Sequence, residues 1–225
     1  MSVSARWYRA RRVMVAVFAT LIASTAALHA QALAGSVTAG FSRNRFTGDG
    51  INQVEYRNTP FVMASLARHP WQSRFGIEGG VAYAMKGSSW IDGIRNTLRL
   101  NYVEAQALLR LAFPIEEADL RPVLFAGPAV GYLVTCEMHG SFGGATETLP
   151  CDDPAWDNTL DVRDVDAGLT FGGMIELRTR GSLVVAPRIA HTRGFQQLGF
   201  GPEGTELDAK NASTVIGITV SVPVR

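Results

Sequence analysis

The sequence has few charged residues and almost no lysine. Asp, Glu, Lys and Arg make up 18% of the 225 residues, and Lys86 and Lys210 are the only lysines. Beyond the N-terminus no Lys/Arg-rich run interleaves with aromatic residues, so the electrostatic pattern of a nucleic-acid-binding protein is missing. Its 23 glycines include none that lead from a strand into a helical pattern, as a phosphate-binding loop requires. We therefore expect no nucleic-acid partner and no cofactor.

Long apolar runs are also lacking, except at the N-terminus. Residues 13–28 are apolar, follow four arginines and precede small residues spaced for cleavage, Ala30-Gln31-Ala32 or Ala32-Leu33-Ala34. These features predict that residues 1–34 are a cleaved signal peptide, with a membrane-anchoring helix as the alternative. Taking four arginines from 21 basic residues leaves 17 against 20 acidic ones, a net charge of −3 for the remainder. That remainder can cross a membrane only as strands.

Only two cysteines are present, Cys136 and Cys151, and they flank a long polar linker. An even number of cysteines in an exported chain favours a disulfide. Closing such a loop would stabilise the fold by about 3 kcal/mol, mainly by restricting the unfolded chain. The alternative is a metal site built from the loose cluster of Met138, His139, Asp152 and Asp153.

Eight segments alternate between bulky apolar residues and small or charged ones. In the clearest segment, residues 75–86, one face carries Phe75, Ile77, Val81, Tyr83 and Met85. The other face carries Gly, Ala, Glu78 and Lys86. A period of two is that of a β-strand. Because a soluble barrel such as a lipocalin keeps its bulky apolar residues inside, this pattern predicts strands that face lipid around a small polar interior.

The linkers between these segments alternate in length. The long ones are 44–57, 87–96, 137–160 and 195–210, and the short ones are 69–72, 114–119 and 178–181. Outer-membrane barrels combine long extracellular loops with short periplasmic turns. We therefore predict an all-β fold over residues 35–225, an eight-stranded antiparallel up-and-down transmembrane β-barrel in the bacterial outer membrane. Aromatic girdles are expected from Phe75 and Phe113 at the short turns and from Tyr83, Tyr102 and Tyr132 at the long loops.

Charged residues at mid-strand have the parity of the barrel interior. An Arg that faced lipid at mid-depth would cost about 2–4 kcal/mol, whereas charges inside a narrow barrel can pair across the lumen. The predicted interior charges are Glu78, Glu104, Arg110, Arg121, Asp164, Asp166, Glu176 and Arg188. They could form an ion path or a structural plug, and the small lumen of eight strands favours the plug.

Four of the predicted strands resemble a known family. The runs 101–111, 121–133, 166–173 and 187–195 are similar to the small bacterial outer-membrane β-barrel proteins often called porin-family proteins. The resemblance implies an eight-stranded barrel in the outer membrane of a diderm bacterium, with no established catalytic residues to carry over. In one departure, such barrels commonly end in an aromatic residue that assists assembly, whereas this chain ends Val222-Pro223-Val224-Arg225.

These observations favour a non-enzymatic scaffold that displays its long loops for surface binding, adhesion or envelope integrity. A narrow pore for small solutes is the alternative, and an outer-membrane lipid hydrolase is the third hypothesis. His191 is the candidate base of a hydrolase, but lipid A deacylases carry Ser two positions after this His, where this chain has Arg193. The expected partners of a monomeric barrel are outer-membrane lipids and an unidentified extracellular ligand at the long loops.

Overall fold

A computed structural model describes residues 33–48, 54–92, 94–115, 118–142, 145–151, 153, 162–179, 182–197 and 209–224. Their regular structure consists of ten strands: β1 (Leu33–Thr47), β2 (Val54–Glu55), β3 (Arg57–Arg68), β4 (Phe75–Asp92), β5 (Ile94–Ala112), β6 (Leu120–Phe142), β7 (Ala145–Pro150), β8 (Val165–Arg178), β9 (Val184–Gly194) and β10 (Lys210–Val224). Within these ranges, no helix has the length and apolarity needed to cross a membrane. The predicted signal peptide lies outside the described residues, apart from Leu33 and Ala34 at the start of β1.

Eight of these strands form a closed antiparallel barrel. Consecutive long strands pair with one another in the order β1, β3, β4, β5, β6, β8, β9 and β10. The barrel closes where β10 pairs with β1, in a register that runs from Leu33 opposite Val224 to Thr47 opposite Lys210. Because closure gives every long strand two hydrogen-bonded neighbours, it removes the free edges that an open sheet would have. The predicted all-β, eight-stranded up-and-down fold is therefore confirmed.

Two inward-facing glycines lie at the seam that closes the barrel. Gly40 in β1 is directly opposite Gly217 in β10. A Cβ atom on Gly40 would lie 2.5 Å from the Cα of Gly217, and one on Gly217 would lie 2.5 Å from the carbonyl oxygen of Ala39. The two backbones approach too closely here for any side chain, which is the usual reason for glycine within a strand.

The outer surface of the barrel is apolar. Phe41, Phe75, Leu109 and Ile216 are each more than 60% exposed, and their neighbours along each strand face the interior. Exposed apolar surface of this extent is unusual for a soluble protein and is typical of a lipid-facing belt. The faces therefore have the predicted polarity, with bulky apolar residues outside.

The expectation that Tyr102 belongs to the outer aromatic girdle is wrong. Its side chain is fully buried in the interior of the barrel. A bulge does occur beside it, since Asn101 pairs with Thr135 while Tyr102 pairs with Leu133. The extra residue is thus Val134 on β6. Because the bulge leaves the alternation of β5 unchanged, Tyr102 keeps its inward parity.

Pairing continues past the belt at the long-loop end. β4 and β5 remain paired as far as Asp92 and Ile94, so most of the predicted loop 87–96 is hairpin. Within the predicted loop 137–160, β7 pairs with the end of β6, and β2 pairs with β4 near Trp90. We call β2, β7 and residues 87–92, 94–101 and 134–142 the extension. The polar outward residues of the extension led to the prediction of loops. In the structure, hydrogen bonding between neighbouring strands continues through these segments.

Candidate functional site

Five buried side chains form an ionic network across the lumen toward the short turns, here called the lower network: Glu78, Arg110, Arg121, Glu176 and Arg188. Glu176 accepts hydrogen bonds from Arg110 through Oε1 and from Arg121 Nε through Oε2, the latter at 2.8 Å. Glu78 accepts from Arg188 at 2.8 Å and lies 3.6 Å from Arg110. Because each residue comes from a different strand, β4, β5, β6, β8 or β9, the network joins both walls of the barrel. All five are at most 6% exposed.

A second ionic network lies toward the long loops, and we call it the upper network. Lys86 Nζ lies 2.5 Å from Glu104 Oε2 and 3.0 Å from Asp166 Oδ2. Gln106 donates to Glu104 at 2.7 Å, and Asn211 donates to Asp166 at 2.9 Å. Amide donors thus supplement the single cation that faces two carboxylates. Such additional hydrogen bonds are what a buried ion pair requires if it is to offset its desolvation.

The two networks contain seven of the eight predicted interior charges, together with Lys86. Asp164 differs from the expectation: it is exposed and precedes β8, so the alternation of that strand does not extend to it. Its backbone carbonyl instead accepts a hydrogen bond from the Leu133 amide at 2.7 Å. Lys86 lies on the same face as Glu78 in the sequence pattern, so its position in the interior could have been predicted. With Lys86 included and Asp164 excluded, the described residues place four cations and four carboxylates in the lumen.

An apolar cluster, here called the cap, fills the interior beyond the upper network. Leu98, Leu100 and Tyr102 are 0% exposed. They lie on β5 between Glu104 and the long-loop end of the barrel. They cluster with Phe46, Ala84, Met138, Cys151 and Ala209. The sequence-based prediction missed the cap because Phe46, Met138, Cys151 and Ala209 lie in segments that were assigned to long loops. A shared parity of Leu98, Leu100 and Tyr102 was the signal that could have revealed it.

Between the two networks lies a cavity of about 10 Å³. Its lining includes Glu104 and Gln106 on one side and Arg188 and Met63 on the other. This volume is about what a single water molecule needs. Buried side chains thus occupy the interior at the levels of the lower network, the upper network and the cap.

The disulfide predicted between Cys136 and Cys151 is present. The two Cα atoms are 5.4 Å apart across 15 residues of sequence, and the Cys151 amide donates to the Cys136 carbonyl at 3.2 Å. The bond therefore ties the base of the β6–β7 hairpin to the cap, of which Cys151 is a member. Among the residues of the alternative metal site, His139 lies 2.8 Å from the Thr148 hydroxyl, and Asp152 lies outside the described residues.

The turn between β3 and β4 contacts the lower network through Arg121. Arg121 Nη1 donates to the carbonyls of Pro70 and Trp71 at 2.9 and 2.7 Å, and its guanidinium lies 4.5 Å from the Trp71 ring centre. His69 is 8% exposed. Burial, followed by the nearby positive charges of Arg121 and Arg110, lowers the pKa of His69 from 6.5 to about 4. His69 is thus neutral at physiological pH.

His191, the candidate base of a hydrolase, lies on the outer face of β9. Its Nδ1 is 2.9 Å from the Thr214 hydroxyl, and its ring centre is 5.3 Å from that of Phe171. Arg193, at the position where a deacylase has its serine, is exposed on the same face. The position two residues after His191 therefore holds an arginine in place of the deacylase serine, and the ring faces the Thr214 hydroxyl and Phe171.

A closed barrel with an apolar belt and a charged interior defines an outer-membrane β-barrel protein. Residues 26–198 match the family model described as "Outer membrane protein beta-barrel domain". The chain belongs to this family, and its location is the bacterial outer membrane.

Several solved outer-membrane proteins are similar to this chain. Neisserial surface protein A is 10% identical, with a TM-score of 0.46, and the match covers 85% of this chain and 99% of that one. Outer Membrane Protein W of E. coli is 14% identical, with a TM-score of 0.46 and coverage of 88% and 100%. Ail of Yersinia pestis, solved with a heparin analogue, is 14% identical, with a TM-score of 0.42 and coverage of 85% and 99%. A comparison with curated protein sequences finds no match.

Proposed function

We propose that the protein is a non-conducting, non-enzymatic scaffold that presents its extension at the cell surface. The observation that carries this proposal is the filled lumen: two ionic networks, a cavity for about one water molecule and an apolar cap succeed one another along the barrel. We infer that the whole lumen is filled in the same way as its described part.

The energetics of the lumen support a plug over a pore. A permeating ion would have to separate pairs such as Arg121 and Glu176, and breaking a buried pair costs about 3–5 kcal/mol. It would then have to pass Leu98 and Leu100, which offer no polar group to replace its hydration shell. Either step alone would make passage slow compared with that through a water-filled porin.

The extension is the surface best suited to contact a partner. Its outward face carries polar pairs across neighbouring strands: Asn101 donates to Thr135 at 2.7 Å, and Arg99 lies 3.9 Å from Glu137 with more than 40% of both side chains exposed. The cap supports the inner face, and the disulfide fixes the β6–β7 hairpin. A polar surface held by a rigid base loses little conformational entropy on binding, so this arrangement suits surface binding or adhesion.

Solute flux tests the plug. We expect proteoliposomes that contain the folded protein to swell in isotonic arabinose or glycine no faster than empty liposomes, while liposomes with a large porin swell rapidly. Swelling that rises in proportion to the amount of folded protein would reject the plug and favour a narrow pore.

The orientation can be tested on intact cells with inserted epitopes. A tag between Phe142 and Ala145, at the end of the β6–β7 hairpin, should bind antibody without permeabilisation. A matched tag between Thr179 and Ser182, at a short turn, should bind only after the outer membrane is opened. The opposite pattern would show that the extension faces the periplasm and would overturn surface display.

A further inference from the structure

Four basic residues lie together on the outer face of the barrel at the long-loop end: Arg43 and Arg45 on β1, and His191 and Arg193 on β9. We call them the basic row. Strand β10 separates the two pairs, with Thr214 between Arg43 and His191 and with Ala212 between Arg45 and Arg193. The three arginines are exposed, while alternate residues on the same strands are buried inside.

The geometry allows these side chains to converge on one anion. Adjacent strands are about 4.8 Å apart, so the Cα atoms of Arg45 and Arg193 are separated by roughly 10 Å. Both arginines lie close enough to His191 to interact with it electrostatically. Ala212, which is 6% exposed, lies between them in the register of β10. Two long guanidinium side chains can bridge such a gap around a phosphate, which they bind with a bidentate geometry.

An aromatic side chain orients the β1 half of the row. The guanidinium carbon of Arg43 lies 3.8 Å from the centre of the Tyr56 ring, and that of Arg45 lies 5.0 Å from it. Stacking of this kind attracts the cation to the ring face and leaves the guanidinium edge available for hydrogen bonding. The row is therefore partly ordered in the absence of a ligand.

The described residues provide no carboxylate partner for the arginines of the row. Among the residues that the structure describes, no carboxylate lies within 4 Å of Arg43, Arg45 or Arg193, whereas Arg99 at the same end has Glu137. Like charges held together without a counterion repel one another. An external anion would remove that repulsion.

The position of the row indicates the source of the anion. Directly toward the belt on the same strands lie Phe41 and Ile189, which are 73% and 53% exposed, and Phe171 is 47% exposed beside His191. The row thus borders the lipid-facing surface at the depth of the headgroups. We propose that the basic row binds the phosphate groups of a phosphorylated lipid in the outer leaflet, whose acyl chains pack on this apolar surface. The choice of leaflet rests on the orientation given in the proposed function.

Lipid binding by the purified protein in a neutral detergent tests this site independently of orientation and conductance. The probe is diphosphoryl lipid A, titrated against folded protein and measured by native mass spectrometry. We expect R45Q/R193Q to bind at least tenfold more weakly than wild type, and R193Q alone to show an intermediate loss. The matched control R178Q removes an exposed arginine at the short-turn end of β8, far from the row, and it should bind like wild type. Binding by wild type should also weaken as ionic strength rises.

Several outcomes would overturn the proposal. Equal affinity of wild type and R45Q/R193Q would exclude the row, provided that both migrate as folded barrels in unheated gels. Equal binding of dephosphorylated lipid A would exclude phosphate recognition. Displacement of the lipid by millimolar inorganic phosphate would identify a site for soluble anions. If the variant lost binding to heparin but kept its affinity for lipid A, the ligand would be a polysaccharide.

Discussion

Removal of the Glu176 carboxylate should strongly destabilise the barrel. Glu176 accepts hydrogen bonds from both Arg110 and Arg121, and it is one of two carboxylates that face three cations in the lower network. Glu176→Gln keeps the volume of the side chain but leaves three cations against one carboxylate. Loss of one partner of a buried pair costs about 3–5 kcal/mol because the other charge remains desolvated. Since glutamine can still accept one hydrogen bond, we expect the lower end, about 3 kcal/mol or roughly a hundredfold in the unfolding equilibrium.

A second substitution separates charge imbalance from local damage. Arg110→Met removes one excess cation and fills similar space, so E176Q/R110M should be less destabilised than the sum of its single variants by about 1–3 kcal/mol. Asp164→Asn is the matched control, because Asp164 is an exposed carboxylate immediately before the same strand. It should change the free energy of unfolding by less than about 0.5 kcal/mol.

Urea unfolding of protein refolded into phospholipid vesicles provides the measurement. Tryptophan fluorescence and unheated gel migration should report the same midpoint if the transition is two-state. A loss below about 1 kcal/mol for E176Q, or strict additivity in the double variant, would refute the view that the lower network acts as one unit.

Three further predictions concern other parts of the molecule. Replacement of both Cys136 and Cys151 by serine should lower the free energy of unfolding by about 3 kcal/mol, the effect of opening a loop of that length, as urea titrations with and without reductant can check. His69 should titrate near pH 4 in the folded barrel by NMR. Because its folded pKa lies below the unfolded value of 6.5, stability should fall as pH drops from 6.5 toward 4, and a pKa above 6 would contradict this. Gly217→Ala should slow or prevent barrel closure in refolding assays, since its Cβ would meet the Ala39 carbonyl oxygen at 2.5 Å. Unchanged refolding would show that the seam can relax.

The sequence was enough to predict which face lies inside for strands with clear alternation, such as β4 and β9. The strand period of two is fixed by the backbone pleat, so Glu78 and Arg188 could be assigned to the same interior although they are 110 residues apart. Their pairing could not be predicted, because it depends on strand tilt and on the stagger between neighbouring strands. Both of these are properties of the closed barrel.

The sequence-based prediction failed where a bulge interrupted the alternation of a strand. It also failed where polar outward residues made a strand resemble a loop. The bulge at Val134 leaves no clear mark in the residue pattern, yet it reverses the faces beyond it and turns Cys136 toward the cap. The apolar inward face of the extension was masked by polar outward residues such as Arg99 and Asn101. Likewise, the basic row could not be recognised, because Arg45 and Arg193 meet only through β10, which pairs with both of their strands.

Single-channel recording in planar bilayers tests the filled lumen most directly. Barrels purified in their heat-modifiable folded form should insert without producing unitary currents in 1 M KCl, at voltages where a large porin conducts. Stable, reproducible unitary currents from the same preparation would contradict a lumen plugged by the lower network, the upper network and the cap.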